Sequence, residues 1–366
     1  MLNTQYSKYI VALAASIALA GCGSAVAAEN VDAETAGAGH EVARIAVPDT
    51  SEADVPIQAA SEETSGETEG VVRDLVVESG TSVTITEAGT YRLSGQATDA
   101  TVVVDAADTD KVTLELSGLT IENSNFPCIY VRSADKVHVT LAVGTENALS
   151  VTGAFLTDGD VACDAVIFSK DDLVLDGEGS LAVSSSAHAI ASKDDLKVKG
   201  GTYAIVASAK ALTANDTLTI KAGTIQADAS EGLEATVVNV EGGTVSIAAT
   251  DDGINATAKS DKADIGTPTI QVSGGEITIE MASGDTDAID ANGNLYVSGG
   301  TLTISAQSAF DVDGEASLTG GTVYVNGEQV TTIENTMMGG GFGGRGFAGG
   351  GMGAAMNGGM GRGFRG

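Results

Sequence analysis

The chain has 366 residues and is strongly acidic, with 50 Asp and Glu against 18 Lys and Arg, which gives a net charge of −32 at pH 7. Nucleic-acid binding requires basic side chains that neutralise phosphates, so this charge excludes nucleic acid as a partner. Trp is absent, and aromatic residues make up only 4% of the chain. This composition argues against a simple aromatic platform for cellulose.

The first 22 residues predict an export signal rather than a part of the fold. Lys8 precedes an apolar stretch, residues 10–20, that is too short to span a membrane. The stretch ends in Leu19-Ala20-Gly21-Cys22, which resembles a bacterial lipobox and implies cleavage before Cys22 and acylation of its thiol. We therefore expect an exported lipoprotein, anchored through Cys22 in a membrane at the cell surface. The alternative is ordinary signal-peptidase cleavage within residues 25–28, which gives a secreted protein.

Two segments beside the repeats lack the pattern of a folded core. Residues 23–74 are acidic and poor in aromatic residues, which predicts a disordered tether between the anchor and the folded part. Residues 334–366 are rich in Gly, Met and Phe and contain three arginines. We expect this C-terminal segment to be a flexible tail; the alternative is a basic arm that touches an anionic surface.

Residues 75–333 contain a repeat, and most of its units end in a glycine doublet followed by a strand-favouring residue. The doublets and their equivalents recur about every 20–25 residues, a period typical of solenoids. They are found at residues 200–201, 222–223, 242–243, 274–275, 299–300 and 320–321. The one long interval contains the polar stretch of residues 257–266, which we predict to be a surface loop.

Each repeat predicts three short strands separated by corners. Leu, Val, Ile and Thr alternate with other residues at a period of two, as in half-buried strands, and glycines supply the positive φ of sharp corners. Three strands and three corners in about 21 residues make one coil of a parallel β-helix. We therefore predict one all-β domain over residues 75–333, with a continuous aliphatic core, and expect it to be a monomer.

Acidic residues recur at two equivalent positions in the last coils. When coil starts are aligned on their central aliphatic residue, Glu231, Asp252 and Asp287 share one position, and a second position carries Glu234, Asn255, Asp290 and Asp311. Equivalent residues of stacked coils lie about 4.8 Å apart, where like charges repel by about 1 kcal/mol per pair in water. We predict that Ca²⁺, which prefers oxygen ligands, neutralises this set. We define the acidic ladder as Glu231, Glu234, Asp251, Asp252, Asn255, Asp285, Asp287, Asp290, Asp311 and Asp313.

Acidic residues also have a simpler interpretation as parts of corners and turns. The members of the acidic ladder could be solvated corner residues, an alternative that the sequence leaves open. Asp171-Asp172 and Asp194-Asp195 each directly precede a strand, so we expect turn residues there rather than metal ligands.

Three tyrosines and two cysteines complete the candidate residues. Tyr203, Tyr296 and Tyr324 are candidates for stacking on sugar rings, although a sheet-packing role is at least as well supported by their strand patterns. Cys128 and Cys163 could form one disulfide in an exported protein or be two buried small residues.

Several runs resemble a family of bacterial surface proteins usually called carbohydrate-binding domain-containing proteins. These runs are Asp-Asp-Gly-Ile-Asn-Ala at 251–256, Asp-Ala-Ile-Asp-Ala-Asn-Gly at 287–293 and Val-Ser-Gly-Gly-Thr-Leu at 297–302. The resemblance covers residues 75–333. From its characterised clostridial member, it implies a right-handed parallel β-helix similar to pectate lyases, with bound calcium. It further implies binding of cellulose and acidic pectic chains. Motif matching carries the ligand role to Asp251, Asp252, Asn255, Asp287, Asp290 and Asp311.

Three functions follow from these predictions. The first is a non-catalytic, calcium-loaded, surface-anchored module that binds polysaccharides, including uronate chains. The second is a calcium-dependent polysaccharide lyase, for which Lys259 and Lys262 are the candidate bases near the acidic coils. The third is a structural stalk or adhesin that binds no sugar.

Overall fold

The computed structural model describes residues 71–259, 265–284 and 286–333. The predicted lipidation site Cys22, most of the predicted tether, Asp285, Lys262 and the C-terminal tail lie outside the described residues. The described ranges consist of strands, turns and connecting segments and contain no helix. None of their segments is therefore a helix that could cross a membrane.

The strands follow one another at short intervals along the chain. The first half contains β1 Val72–Val76, β2 Ser82–Ile85, β3 Gly89–Thr98, β4 Thr101–Asp105, β5 Lys111–Asn123, β6 Ile129–Ser133, β7 Lys136–Leu141, β8 Glu146–Val151, β9 Thr157–Asp158, β10 Val161–Ala162, β11 Ala165–Ser169, β12 Asp172–Gly177, β13 Ser180–Ser185, β14 His188–Ser192 and β15 Leu196–Val198. The second half contains β16 Thr202–Ala207, β17 Lys210–Ala214, β18 Thr217–Ile220, β19 Thr224–Ala229, β20 Glu231–Ala235, β21 Val237–Val240, β22 Thr244–Ala249, β23 Asp252–Ala256, β24 Thr269–Val272, β25 Glu276–Met281, β26 Asp287–Ala291, β27 Asn294–Ser305, β28 Ser308–Val312, β29 Ala316–Val325 and β30 Glu328–Val330.

Apart from β9, β10 and β30, which pair in antiparallel arrangements, these strands stack in three parallel ladders, and each turn of the chain visits the three in succession. The first ladder runs from β1 through β3, β5, β7, β12, β15, β18, β21, β24 and β27 to β29. The second uses the C-terminal halves of β3 and β5, then β8, β13, β16, β19, β22, β25 and the C-terminal halves of β27 and β29. The third runs β2-β4-β6-β11-β14-β17-β20-β23-β26-β28. The predicted all-β fold with parallel strands is confirmed.

The core is a stack of aliphatic side chains in matching register. In the third ladder, Leu212, Leu233, Ile254 and Ile289 pair in succession, and all are buried. Burial of each such side chain contributes about 1.5–3 kcal/mol, so every added coil extends the core that the previous coil began. This core fixes which side chains of each strand must point outward.

The structure moves the predicted N-terminal boundary of the domain and decides between the two alternatives left open for the cysteines. The first ladder begins at Val72, inside the predicted tether, because β1 pairs in parallel with β3 over its whole length. The predicted boundary at residue 75 came too late, since acidic residues upstream mask this short alternation. Cys128 and Cys163 are both free and buried, and they belong to different apolar clusters. The structure therefore contains two buried small residues and not a disulfide.

A matched pair of glycines tests the close packing of the corners. Gly300 and Gly327 both have positive φ, at 76° and 85°. A Cβ on Gly300 would lie 2.7 Å from the backbone oxygen of Gly274 in the coil below, whereas a Cβ on Gly327 would meet nothing within 4 Å. We expect Gly327→Ala to cost about 1–2 kcal/mol of unfolding free energy from backbone strain alone, and Gly300→Ala to cost clearly more. Denaturant titrations measure both; equal losses would contradict stacking contact at this corner.

Candidate functional site

The described members of the acidic ladder lie along the outer face of the third ladder. Asp252 pairs with Asp287, and Asn255 pairs with Asp290, which in turn pairs with Asp311. This register agrees with the sequence alignment of coil starts. Stacked coils lie about 4.8 Å apart, so the structure brings these acids side by side in two adjacent columns.

A small residue at each coil start turns the acids outward. In β23, Gly253 and Ile254 are buried, while Asp252 and Asn255 on either side are only half-buried. A Cβ on Gly253 would lie 2.6 Å from Ile279 Cγ2, so this position faces the core and admits no large side chain. The chain bends here, and two outward positions flank one inward pair.

Two lysines neutralise the N-terminal end of the acidic ladder. Glu234 is only 1% exposed and forms ion pairs with both Lys210 and Lys259. Glu231 lies 3.1 Å from Lys210 Nζ. In this arrangement two ammonium groups already balance the buried carboxylate of Glu234, a residue that the sequence analysis predicts to bind a metal.

The C-terminal end of the acidic ladder has a different environment. Among the described residues, no ion pair joins a basic side chain to Asp252, Asp287, Asp290 or Asp311. Their hydrogen-bond donors are neutral groups. Asn255 Nδ2 donates to Asp252 Oδ2 at 3.0 Å, Asn292 Nδ2 donates to Asp290 Oδ1 at 3.0 Å, and Ser308 Oγ donates to Asp287 Oδ1.

The pKa values of three carboxyl groups at this end are raised, first by burial and then by repulsion between like charges. Burial raises the pKa of Asp252 to about 7, and repulsion from Asp290, Asp251, Glu231 and Asp287 adds to the effect. Burial likewise raises the pKa of Asp290 to about 6, with Asp311 as the largest like-charge neighbour. Burial also raises the pKa of Asp311, and repulsion from Asp287 and Asp313 adds to this effect. Protons or a cation would therefore bind favourably here.

The donor set at this end fits a hard divalent cation. Ca²⁺ takes six to eight oxygen ligands from carboxylates, amides and backbone. Asn255 directs its Nδ2 to Asp252, and its Oδ1 is buried with no hydrogen-bond partner among the described residues. In the described part of the chain, no three acids of the ladder hold their ligand oxygens all within 4.8 Å of one another. A bound ion would therefore have to bring these carboxylates closer to one another and compensate their mutual repulsion.

A more compact acidic group lies elsewhere. Oxygens of Asp194, Asp195 and Asp216 all lie within 4.8 Å of one another, and the three residues are half-buried. Asp195 accepts the backbone N–H of Thr217 at 3.1 Å, and its own N–H donates to Asp172 Oδ1 at 3.4 Å. Asp195 thus serves a turn, as predicted. This convergence was not predictable from the spacing of the pair Asp194-Asp195, because Asp216 comes from the following coil.

The three tyrosines do not form one sugar-binding platform. Tyr203 is 1% exposed and lies in the core, so its predicted stacking role is wrong. Tyr203 pairs with Ile225 in a buried column. The aliphatic residue at the equivalent position of the next coil is the feature of the sequence that indicates an inward-facing position. Tyr296 and Tyr324 are half-buried, but they belong to the first and second ladders respectively. Tyr296 donates a hydrogen bond to Glu315 at 3.2 Å.

An aromatic cluster occupies the same outer face in earlier coils. Tyr130 and Phe168 pair in register, and their ring centroids lie 5.9 Å apart. Tyr130 donates to Asp158 Oδ2 at 3.0 Å, and the Arg132 guanidinium lies 5.4 Å from its ring centroid. The outer face therefore changes from aromatic and covered to acidic and half-exposed along the stack.

Comparisons with known proteins match the repeat region. The family described as carbohydrate-binding domain-containing protein matches residues 79–330. A protein of that description from Acetivibrio thermocellus is 35% identical over 122 residues, which are 32% of this chain and 43% of the relative. This chain thus aligns with less than half of that protein. A solved structure of a polysaccharide lyase-like protein from C. thermocellum, a gadolinium derivative, shares 26% identity. It covers 70% of this chain and 96% of its own, with a TM-score of 0.48.

The raised pKa values predict a stability that falls as the pH rises. Between the ordinary value of 3.8 and the folded values of about 6 and 7, Asp290 and Asp252 hold more protons in the folded protein than in the unfolded chain. The free energy of unfolding therefore decreases with pH in this window. In EDTA, we expect Asp252→Asn to gain stability relative to the parent between about pH 5 and pH 8, as followed by thermal unfolding. Asp228→Asn, an exposed acid of β19, is the control. Parallel curves for parent and Asp252→Asn would refute the assignment.

The lysine-neutralised end predicts a large effect for one lysine and a small effect for another. Lys210→Met leaves Glu231 and the buried Glu234 with less counter-charge, and we expect a loss of about 3 kcal/mol of unfolding free energy. Lys221→Met removes an ion pair with Glu241 whose side chains are 45% and 44% exposed. That change should cost less than about 1 kcal/mol. Urea unfolding compares the two, and similar losses would argue against a buried ionic cluster.

Proposed function

Because this chain belongs to the carbohydrate-binding domain-containing protein family, we propose that it is a non-catalytic polysaccharide-binding module whose acidic ladder holds Ca²⁺. The observation that carries the proposal is the unpaired charge of the C-terminal coils. Asp252, Asp287, Asp290 and Asp311 stand in register, and none has a basic partner among the described residues.

Calcium would supply the missing positive charge and a bridge to an acidic sugar. A polyuronate chain is an anion, and a protein with a net charge of −32 repels it. Asp252, Asn255 and Asp290 would hold the ion from the protein side through carboxylate and amide oxygens. Uronate carboxylates would complete its ligands. In this proposal the buried Asn255 Oδ1, which has no hydrogen-bond donor among the described residues, would coordinate the ion.

The proposal includes the winding and the cellular place of the module. The three ladders would wind as a right-handed parallel β-helix, as the family resemblance implies. Cys22 would carry the lipid anchor of an exported, monomeric protein at the cell surface. The rigid stack would then present its acidic face at a distance from the membrane.

Of the two candidate bases, Lys262 lies outside the described residues, and the state of Lys259 supports the absence of catalysis in this proposal. A lyase of this type needs a basic residue free to take the proton next to the uronate carboxylate. Lys259 forms an ion pair with the buried Glu234, and its side chain is only 20% exposed. An ammonium held in this way is a poor base. Incubation with polygalacturonate and calcium should therefore yield no unsaturated uronate ends, detected by their ultraviolet absorbance.

Calcium-dependent binding is the decisive test. We expect the protein to bind polygalacturonate in calcium and to lose at least about tenfold in affinity when chelator replaces it, since the bridging charge is removed. Asp252→Asn combined with Asp290→Asn should give a similar loss in calcium. Affinity electrophoresis or titration calorimetry measures both effects.

A charge-matched control separates the site from general electrostatics. Asp228 lies in β19 of the second ladder, and Glu241 directly follows β21 of the first. The change of Asp228→Asn with Glu241→Gln therefore removes two charges without touching the acidic ladder. This variant should bind like the parent. Equal binding with and without calcium would overturn the bridge, and no binding in either condition would favour the structural stalk.

A further inference from the structure

The two ends of the stack are finished differently. At the C-terminal end, β30 folds back and pairs with β29 in an antiparallel arrangement. At the N-terminal end, within the described residues, β1 pairs only with β3 and β2 pairs only with β4. Each of these two strands therefore has one edge with free backbone donors and acceptors. Natural proteins cover or blunt such edges, and solenoids cap their terminal coils.

The open end exposes apolar surface. Val72 and Val76 of β1 are 36% and 66% exposed. Between β1 and β2 lies a groove of about 270 Å³ with Leu75, Val83 and Ile85 among its lining residues. This volume is below the range of about 300–1,000 Å³ typical of small-molecule pockets. The groove fits a few aliphatic side chains better than a sugar.

A column of alternating charges also ends at this edge. Glu115 lies 2.9 Å from Arg92, which lies 3.3 Å from Asp74 on the neighbouring strand. Asp74 is the last described member, and its side chain is 72% exposed. The next position in this column therefore favours a positive charge. Between Lys8 and Arg73, the sequence contains a single Lys or Arg, which is Arg44.

We propose that residues 42–46, Val-Ala-Arg-Ile-Ala, add a parallel strand to the free edge of β1, with Arg44 opposite Asp74 and Ile45 opposite Leu75. In this register Val42 and Ala46 flank the exposed Val72 and Val76. Ile45 lies over the groove. The segment belongs to the predicted tether, so the tether would be shorter and the stack one coil longer.

The spacing along the chain agrees with this register. Paired residues of the first ladder are separated by 18 residues between Leu75 and Leu93 and by 32 residues between Val240 and Val272. The separation of Ile45 from Leu75, 30 residues, falls within that range. A second copy of the protein is less suitable, because antiparallel pairing of two β1 strands about their centres places Asp74 opposite Asp74.

Hydrogen exchange at β1 tests the added strand. In the chain from residue 23 onward, the amides of Val72–Val76 that do not bond β3 should be protected. Ile45→Asp and Arg44→Glu should accelerate their exchange by about tenfold or more, because each change opposes pairing at one defined contact. Ile57→Asp, outside the register, and Arg44→Lys, which keeps the charge, should leave the exchange unchanged.

The outcomes separate the occupants of this edge. Exchange at β1 that is equal in the parent, Ile45→Asp and Arg44→Glu would overturn the proposal. Sedimentation velocity identifies the other occupant: a dimer whose β1 stays protected in both variants would show that a second copy covers the edge, and would also overturn it. Polygalacturonate binding in calcium should be the same in parent and variants, because the acidic ladder lies in the distant coils.

Discussion

Backbone pairing between successive coils is the constraint on which the rest of this structure depends. Each strand of a ladder finds its hydrogen bonds in the coil before and the coil after, so a residue's position in its own coil decides its neighbours in space. The register that stacks Ile254 on Ile289 in the core also stacks Asp252 on Asp287 outside. The core therefore enforces proximity of charges that would otherwise separate.

The protein resolves this enforced repulsion in two ways along one face. Where Lys210 and Lys259 reach the face, the carboxylate of Glu234 is buried and paired. Beyond that point the described structure offers only neutral donors, and burial raises the pKa of Asp252 and Asp290. The proposed ion-binding role thus rests on the last coils and not on the acidic composition in general.

The sequence predicted those features that follow from the repeat and missed those that cross it. Alignment on the aliphatic residue was sufficient for the register of Asp252 and Asp287, because backbone stacking obeys the same period. Of the two partners of Glu234, Lys259 was not predictable in this way, since it belongs to an insertion with no equivalent in other coils. Tyr203 was misplaced because alternation shows that two faces exist but does not identify the inner one.

The small residue at each coil start has a consequence for how such a face can change. Gly253 and Ala288 fill the same inward position, and the strands that contain them differ outside it by little more than Asn255 against Asp290. Duplication of one coil would therefore lengthen the column of outward-facing carboxylates without any new fold. Conversely, a single Asp-to-Lys replacement would end the array. The number of stacked carboxylates on this face can therefore change only by the addition or loss of a whole coil or by the replacement of one of its acids.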